Sequence, residues 1–384
     1  MEASHLFLAI ALILLSTKLF SLFMQKIHLP QVVGALAAGI LLGPAVFNLM
    51  QPCESISTLA EMGVIFLLFS AGMETDFGKL KESLGSSFLI SVLGVGLALG
   101  GGFLAAFAFG KPSFESFFVG VVIASMSTSI TVEALNEMGK LKTKTGTAIL
   151  GASLFDDIFV IVILAVVVGM RTGTDGFSVA SVAFLLVRIA VFFVFAIGAG
   201  WCVNKLFNKM YEKSGRKGRF SIFAVAYCFI MAFAAEQFGL ADITGAYIAG
   251  IAFSNTRCVE LLETKTHTLS YMLFTPVFLA NIGLQTSFGG ITGDVLIFTA
   301  VLALVAIFSK VIGCGLGAKL CKFTTKESLQ VGFGMVARGE VSFVVVNKGI
   351  LAGIVSAALF PSVIIVVLVT VLVAPLMLKW AYRD

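Results

Sequence analysis

Long apolar runs, interrupted by short groups of charged residues, prolines or glycines, make up most of this chain of 384 residues. A helix needs about 20 apolar residues to cross a bilayer. The interruptions divide the chain into about thirteen such runs, so the pattern predicts an all-α polytopic membrane protein. In chain order, the candidate spans are 4–25, 29–50, 56–73, 85–110, 116–138, 146–170, 178–206, 220–238, 242–255, 269–287, 294–321, 328–350 and 356–380.

The composition supports this prediction. Apolar residues make up 59% of the chain and charged residues only 12%, whereas soluble domains have about 45–50% and about 25%. A single water-soluble core cannot bury this excess, which excludes a soluble enzyme, a nucleic-acid-binding protein and a disordered scaffold. We expect no enzyme activity, no cofactor, and neither nucleic acid nor nucleotide as a partner.

The distribution of Lys and Arg predicts the orientation of the chain. With the N-terminus outside and the C-terminus in the cytoplasm, the external loops hold only Lys111, Arg171 and Lys348 among the loop cations. Positively charged loops favour the cytoplasmic side, so this orientation is expected.

Two sequence repeats share one offset. GALAAGI at 34–40 recurs as GAYIAGI at 245–251, and GMETDF at 72–77 recurs as GLQTSF at 283–288, a shift of 211 residues in each case. The shift corresponds to an odd number of spans, so the two repeats face opposite sides of the membrane. Inverted repeats of this kind are typical of secondary transporters.

The offset also connects two polar interruptions. Hydroxyl residues interrupt span 5 at 125–129, and the same shift leads to Ala337, Arg338 and Gly339 in span 12, just before Glu340. We predict that spans 5 and 12 are broken crossing helices whose free ends meet near the membrane midplane.

Asp156 and Asp157 lie in the middle of span 6, and Lys310 lies in span 11. Ionisable residues within a membrane are costly and usually functional. Adjacent helical residues point about 100° apart, so the two carboxylates should have different surroundings. Lys310 is the obvious counter-ion, either in a static salt bridge or in a pair that exchanges protons.

Other polar residues have two interpretations each. Ser127 and Thr128 can supply oxygen ligands to a cation or bond only to their own helix. Arg338 and Glu340 can compensate helix ends or pair with each other. Four acidic residues can line a cation funnel or be solvated helix ends. These acids are Glu74, Asp76, Glu133 and Glu137.

Taken together, these residues give the chain a resemblance to the monovalent cation:proton antiporters of the NhaA/NapA fold, especially the sodium/proton branch with thirteen spans. The resemblance covers essentially the whole chain. It rests on Asp156-Asp157, Lys310, Ser127-Thr128, Arg338-Gly339-Glu340 and the sequence LPQVVG at 29–34.

The resemblance implies specific roles. Asp157 would bind Na⁺ or Li⁺ and exchange it for a proton, while Asp156 would pair with Lys310 and release it as the cation binds. Two carboxylates of this kind suggest electrogenic exchange. Met126 stands where a hydroxyl is expected, so Ser127 or backbone carbonyls would serve as ligands there.

The resemblance also implies an architecture with one transport domain over 1–384. A core at about 85–170 and 294–380 would carry the ion site and move, elevator-like, against a panel at about 1–73 and 220–287. A linker helix would lie at about 178–206. The family is expected as a homodimer in the plasma or inner membrane of a prokaryotic cell, surrounded by lipid.

Alternative functions remain open at this point. A related potassium-efflux group has Gln in place of the first Asp and usually a nucleotide-binding domain, which we do not expect here, yet K⁺/H⁺ exchange on the same fold is possible. A cation channel without proton coupling is a second alternative. An intramembrane aspartyl protease needs two facing Asp residues from different helices, an arrangement that adjacent Asp156 and Asp157 cannot provide.

Overall fold

The computed structural model describes residues 3–27, 29–172, 179–214, 221–286, 293–356 and 359–383, and within them all regular secondary structure is helical. A π-helical turn at Ser270–Phe274 joins the helix Val259–Leu269 to the helix Thr275–Leu284. The helices are α1 Ala3–Lys26, α2 Gln31–Leu42, α3 Glu54–Glu74, α4 Phe77–Ala108, α5 Ser113–Ala124, α6 Thr128–Glu137, α7 Lys144–Thr172, α8 Val179–Ser214, α9 Ser221–Gln237, α10 Asp242–Ser254, α11 Val259–Leu269, α12 Thr275–Leu284, α13 Gly293–Leu320, α14 Thr325–Gly334, α15 Glu340–Leu351 and α16 Phe360–Ala381.

These helices confirm the predicted fold class. Spans 5 and 12 are each a pair of short helices, α5 with α6 and α14 with α15, as the sequence predicted. Within the described ranges, eight helical segments are long and apolar enough to cross a membrane. The number of thirteen crossings stays a prediction. Span 10 differs from its prediction, because its helix begins earlier, at Val259, and continues through the π-helical turn.

The offset of 211 residues relates the two halves of the fold. Shifting the residue ranges of α2 and α4 by this offset places them on α10 and α13, and the broken pair α5–α6 falls on α14–α15. The shifted range of α3 covers the end of α11, the π-helical turn and α12. The sequence repeat is therefore also a repeat of helix order.

Close glycine contacts follow the same symmetry. A Cβ at Gly39 would overlap the backbone of α12 at Ala280, and a Cβ at Gly283 would overlap the backbone of α2. The partners of these positions under the shift are Gly250 and Gly72, which meet in the same way between α10 and α3. Glycine is needed here because a side chain would push the crossing backbones apart.

The helices pack as two groups. In the core group, α4 packs against α5, α7 and α13, and α13 packs against α14 and α16. In the panel group, α3 packs against α10 and α12, and α2 packs against α1 and α12. We count α6 with the core group, because it packs against α7 and α16. The groups meet where α6 contacts α2 and α3 and where α16 contacts α2.

Candidate functional site

The first helix break lies at Ser125, Met126 and Ser127, between α5 and α6. Ser125 and Ser127 have extended backbones. The Ser125 hydroxyl donates a hydrogen bond to the Val122 carbonyl (2.7 Å) and lies 2.8 Å from the Ser342 hydroxyl. Serine side chains compete for backbone groups in this way, which favours a break over a continuous helix.

The second break, between α14 and α15, lies directly against the first. The Ser127 amide donates to the Ala337 carbonyl (2.8 Å), and the Thr131 hydroxyl donates to the Gly334 carbonyl (2.7 Å). A Cβ at Gly339 would overlap the Ser127 side chain, so glycine permits this close approach. Four helix ends therefore meet at one point inside the protein.

Arg338 occupies the second break and is 1% exposed. Its guanidinium donates to the carbonyls of Met335 (3.3 Å) and Val336 (2.6 Å), just past the carboxyl end of α14. It also donates to the Ala306 carbonyl of α13 (2.8 Å). A cation at this position is stabilised by the negative end of the α14 dipole and satisfies buried carbonyls.

Asp156, on α7, is wholly buried and forms an ion pair with the wholly buried Lys310 of α13. The Ser91 hydroxyl of α4 donates a second hydrogen bond to the same carboxylate. Three helices thus converge on Asp156. Paired charges with further hydrogen bonds are the form in which buried ions are tolerated.

Asp157 lies on a different side of α7, as the helical geometry of adjacent residues requires. It is 4% exposed and lines a small cavity of about 10 Å³. Thr128, the first residue of α6, and Ser153 of α7 line the same cavity from the core group. Leu68 of α3 and Thr244 of α10 line it from the panel group. Asp157 therefore sits at the contact between the two groups, beside the amino end of α6.

The four acids predicted to line a cation funnel have different surroundings. Glu133 is buried and lines a cavity of about 390 Å³ between α1, α2, α6 and α12. The Glu137 carboxylate accepts hydrogen bonds from the Gln31 amide (2.7 and 2.8 Å) at the start of α2. Asp76 caps α4 by accepting from the Gly78 and Lys79 amides, and Glu74 lies 3.9 Å from the Lys142 ammonium group.

Two other predicted residues complete the set. Met126 is buried in the first break. Glu340 is the first residue of α15, and its side chain lies outside the described residues. Sequence reasoning did not single out Ser91, Ser153 or Thr244. An isolated hydroxyl in an apolar helix is common, so the sequence carried no signal for them.

The family follows from a comparison with known proteins. A sequence model described as "Sodium/hydrogen exchanger, transmembrane" matches residues 10–383. The chain belongs to the sodium/hydrogen exchanger family. Within this family it is 36% identical over 376 residues to the Na⁺/H⁺-K⁺ antiporter GerN of Bacillus cereus, a match that covers 98% of this chain and 96% of that protein.

Other relatives agree with this assignment. The Na⁺/H⁺ antiporter of Enterococcus hirae is 33% identical over 371 residues, covering 97% of this chain and 96% of the relative. The structure also superposes on the sodium proton antiporter MjNhaP1 of Methanocaldococcus jannaschii with a TM-score of 0.74 over 99% of this chain and 98% of that chain. At 17% identity, that likeness shows the shared exchanger fold alone.

Proposed function

We propose that this protein exchanges Na⁺ or Li⁺ for H⁺ across the membrane, with Asp157 as the site that the cation and the proton share. The observation that carries the proposal is the position of Asp157. Asp157 lines a small cavity of about 10 Å³ at the contact between two helix groups, beside the crossing of two broken helices. Occupation by a cation and by a proton is mutually exclusive at one carboxylate, which couples the two fluxes.

Asp156 and Lys310 form the second part of the proposed mechanism. Their ion pair is wholly buried, so any change in the charge of one group destabilises the other. A cation arriving at Asp157 displaces the Asp157 proton and weakens the hold on the Lys310 proton. Both protons leave to the side from which the cation entered, and the cation is carried to the opposite side. Exchange is then electrogenic, because more than one proton moves for each cation.

The two helix groups give the proposed motion. The core group carries Asp156, Asp157 and Lys310, whereas the panel group supplies the opposite wall of the cavity. An elevator-like movement of the core against the panel exposes Asp157 to each side in turn. The panel also forms the homodimer interface in this proposal, with the N-terminus outside and the C-terminus in the cytoplasm of a prokaryotic cell.

Glu133 is the acid that best fits a cation funnel, because it is buried at the edge of the larger cavity. A carboxylate there raises the local cation concentration. Ser127, Thr128 and nearby carbonyls support the ion beside Asp157. K⁺/H⁺ exchange is the second candidate, since the name of the GerN relative includes K⁺.

The test uses purified protein in liposomes with an imposed inside-acid pH gradient and a pH-sensitive dye. Na⁺, Li⁺ and K⁺ are added in turn, with the membrane potential clamped or free. Alkalinisation that a cation evokes, at a rate that depends on the membrane potential, supports electrogenic antiport. The order in which Na⁺, Li⁺ and K⁺ evoke it gives the selectivity. Cation flux without a pH response would indicate a channel. Asp157→Asn should abolish exchange, whereas Lys348→Gln, at an exposed position on α15, should retain it.

A further inference from the structure

The cavity beside Asp157 has polar groups on both of its walls. Thr128 and Asp157 line it from the core group, and Thr244 lines it from the panel group at the first turn of α10. Its volume of about 10 Å³ accommodates one water-sized particle. A bare monovalent cation of the size of Na⁺ fits the same space.

The Thr244 side chain is 2% exposed, yet its hydroxyl has no hydrogen-bond partner among the described residues. Buried hydroxyls without a partner are rare, because desolvation is then uncompensated. Other buried threonines bond to their own helix: the Thr75 hydroxyl donates to the Ala71 carbonyl (2.7 Å), and the Thr370 hydroxyl donates to the Val367 carbonyl (3.0 Å). The Thr244 hydroxyl therefore remains available to a particle in the cavity.

The Thr128 hydroxyl, on the opposite wall, is also buried without a partner in the described part of the chain. Small monovalent and divalent hard cations prefer oxygen ligands. Two unpartnered hydroxyls and one carboxylate around a single-ion cavity match that preference. We propose that Thr244 supplies an oxygen ligand from the panel to the cation held by Asp157.

This inference rests on the proposed function and adds a consequence to it. The position of Thr244 is fixed within the panel group, because α10 packs on α3 through Gly250 and Gly72. The Tyr247 hydroxyl, one turn further along α10, lies 3.1 Å from the Thr75 hydroxyl at the end of α3. When the core moves, Asp157 and Thr128 move away from Thr244. The cation therefore has ligands from both helix groups only in the conformation in which Asp157 lies beside Thr244. Thr244 stabilises this conformation selectively.

The test compares three variants in the liposome assay, with Na⁺ added over a range of concentrations. Thr244→Val keeps the shape and removes the hydroxyl, so the KM for Na⁺ should rise about 5- to 20-fold, the loss expected for one buried polar contact. Thr244→Ser keeps the hydroxyl and should stay within about twofold of the wild type. Ile248→Val shortens a hydrocarbon side chain on the same helix, outside the lining of the cavity, and should also keep the Na⁺ KM.

Binding is measured separately, as the upward shift in the unfolding temperature of purified protein when NaCl replaces choline chloride. The shift should shrink in Thr244→Val and persist in Thr244→Ser, even if turnover is altered. If Thr244→Val keeps the wild-type KM and the wild-type Na⁺ shift, the inference about Thr244 is overturned. The proposed function then still stands, because the wild-type protein exchanges cations for protons. A wild-type protein that moves no protons in response to any cation would instead overturn the proposed function.

Discussion

The ammonium group of Lys310 contacts the carboxylate of Asp156, and neither side chain is exposed at all. The two residues lie on α7 and α13, 154 positions apart in the chain. The Ser91 hydroxyl of α4 also donates a hydrogen bond to the Asp156 carboxylate. Since one partner cannot change charge without affecting the other, this pair connects the stability of the core group to the proposed proton movement.

We expect single substitutions in this pair to be more damaging than the double substitution. Lys310→Gln leaves a buried carboxylate, and Asp156→Asn leaves a buried ammonium group, so each should cost about 3–5 kcal/mol. The double variant removes both charges and should recover at least half of either loss. Thermal unfolding in detergent measures the effect, with Lys348→Gln as the control at an exposed position. Additive losses in the double variant would mean that the two charges are not coupled.

The same Lys310→Gln variant makes a separate prediction for transport. A neutral side chain cannot carry a proton, so the exchange that remains should lose its dependence on the membrane potential. The measurement is the dye response to Na⁺ in liposomes with and without a K⁺/valinomycin clamp. Undiminished dependence on the potential would assign the second proton to another group.

Arg338 should be essential to the second helix break. Its guanidinium donates to carbonyls from α13 and from the segment after α14, and a lysine cannot reproduce this fork of donors. Arg338→Lys should therefore destabilise the protein by about 2–4 kcal/mol, because buried carbonyls lose their partners. Lys348→Arg, on the exposed side of α15, is the matched control. An Arg338→Lys protein with an unchanged unfolding temperature would show that these bonds do not support the break.

Sequence reasoning went furthest where a local pattern reports a local structure. The hydroxyl run at 125–129 and the offset of 211 residues predicted both breaks, because polar groups interrupting an apolar helix are visible in the chain itself. The resemblance led us to expect Lys310 beside Asp156, and the structure places them in contact. Their roles in transport stay predictions.

Residues whose surroundings come from distant parts of the chain could not be found in this way. Thr244 resembles any other threonine of an apolar helix until the fold brings the first turn of α10 to the cavity that α6 and α7 also line. Glu133 and Glu137 look alike in the sequence, yet one lines a cavity and the other binds the amino end of α2. These differences depend on which helices meet, and the printed sequence does not encode that in any short pattern.

The glycine crossings in the panel group should be sensitive to a single methyl group. A Cβ at Gly72 would overlap the backbone of α10, so Gly72→Ala should lower stability by about 1–3 kcal/mol. Gly96, on α4, has open space around its Cβ position. Gly96→Ala should therefore be neutral or stabilising by up to about 1 kcal/mol, because alanine favours the helix. Equal effects of the two substitutions on the unfolding temperature would argue against close packing at Gly72.

Glu137 should control how often the two helix groups occupy the arrangement described here. Its carboxylate, on α6 of the core group, accepts the amide hydrogens at the start of α2 in the panel group. An elevator-like movement must break these bonds, so Glu137→Ala should shift the population towards the opposite conformation by about 1–2 kcal/mol, the usual contribution of a helix cap to stability.

The measurement that checks the effect of Glu137 is the labelling rate of cysteines introduced at the contact between α6 and α2, in a background without native cysteines. Labelling should accelerate about 5- to 30-fold in Glu137→Ala. The control is Glu82→Ala, an exposed acid on α4, which should leave the rate unchanged. An unchanged rate in Glu137→Ala would mean that this cap remains formed throughout transport.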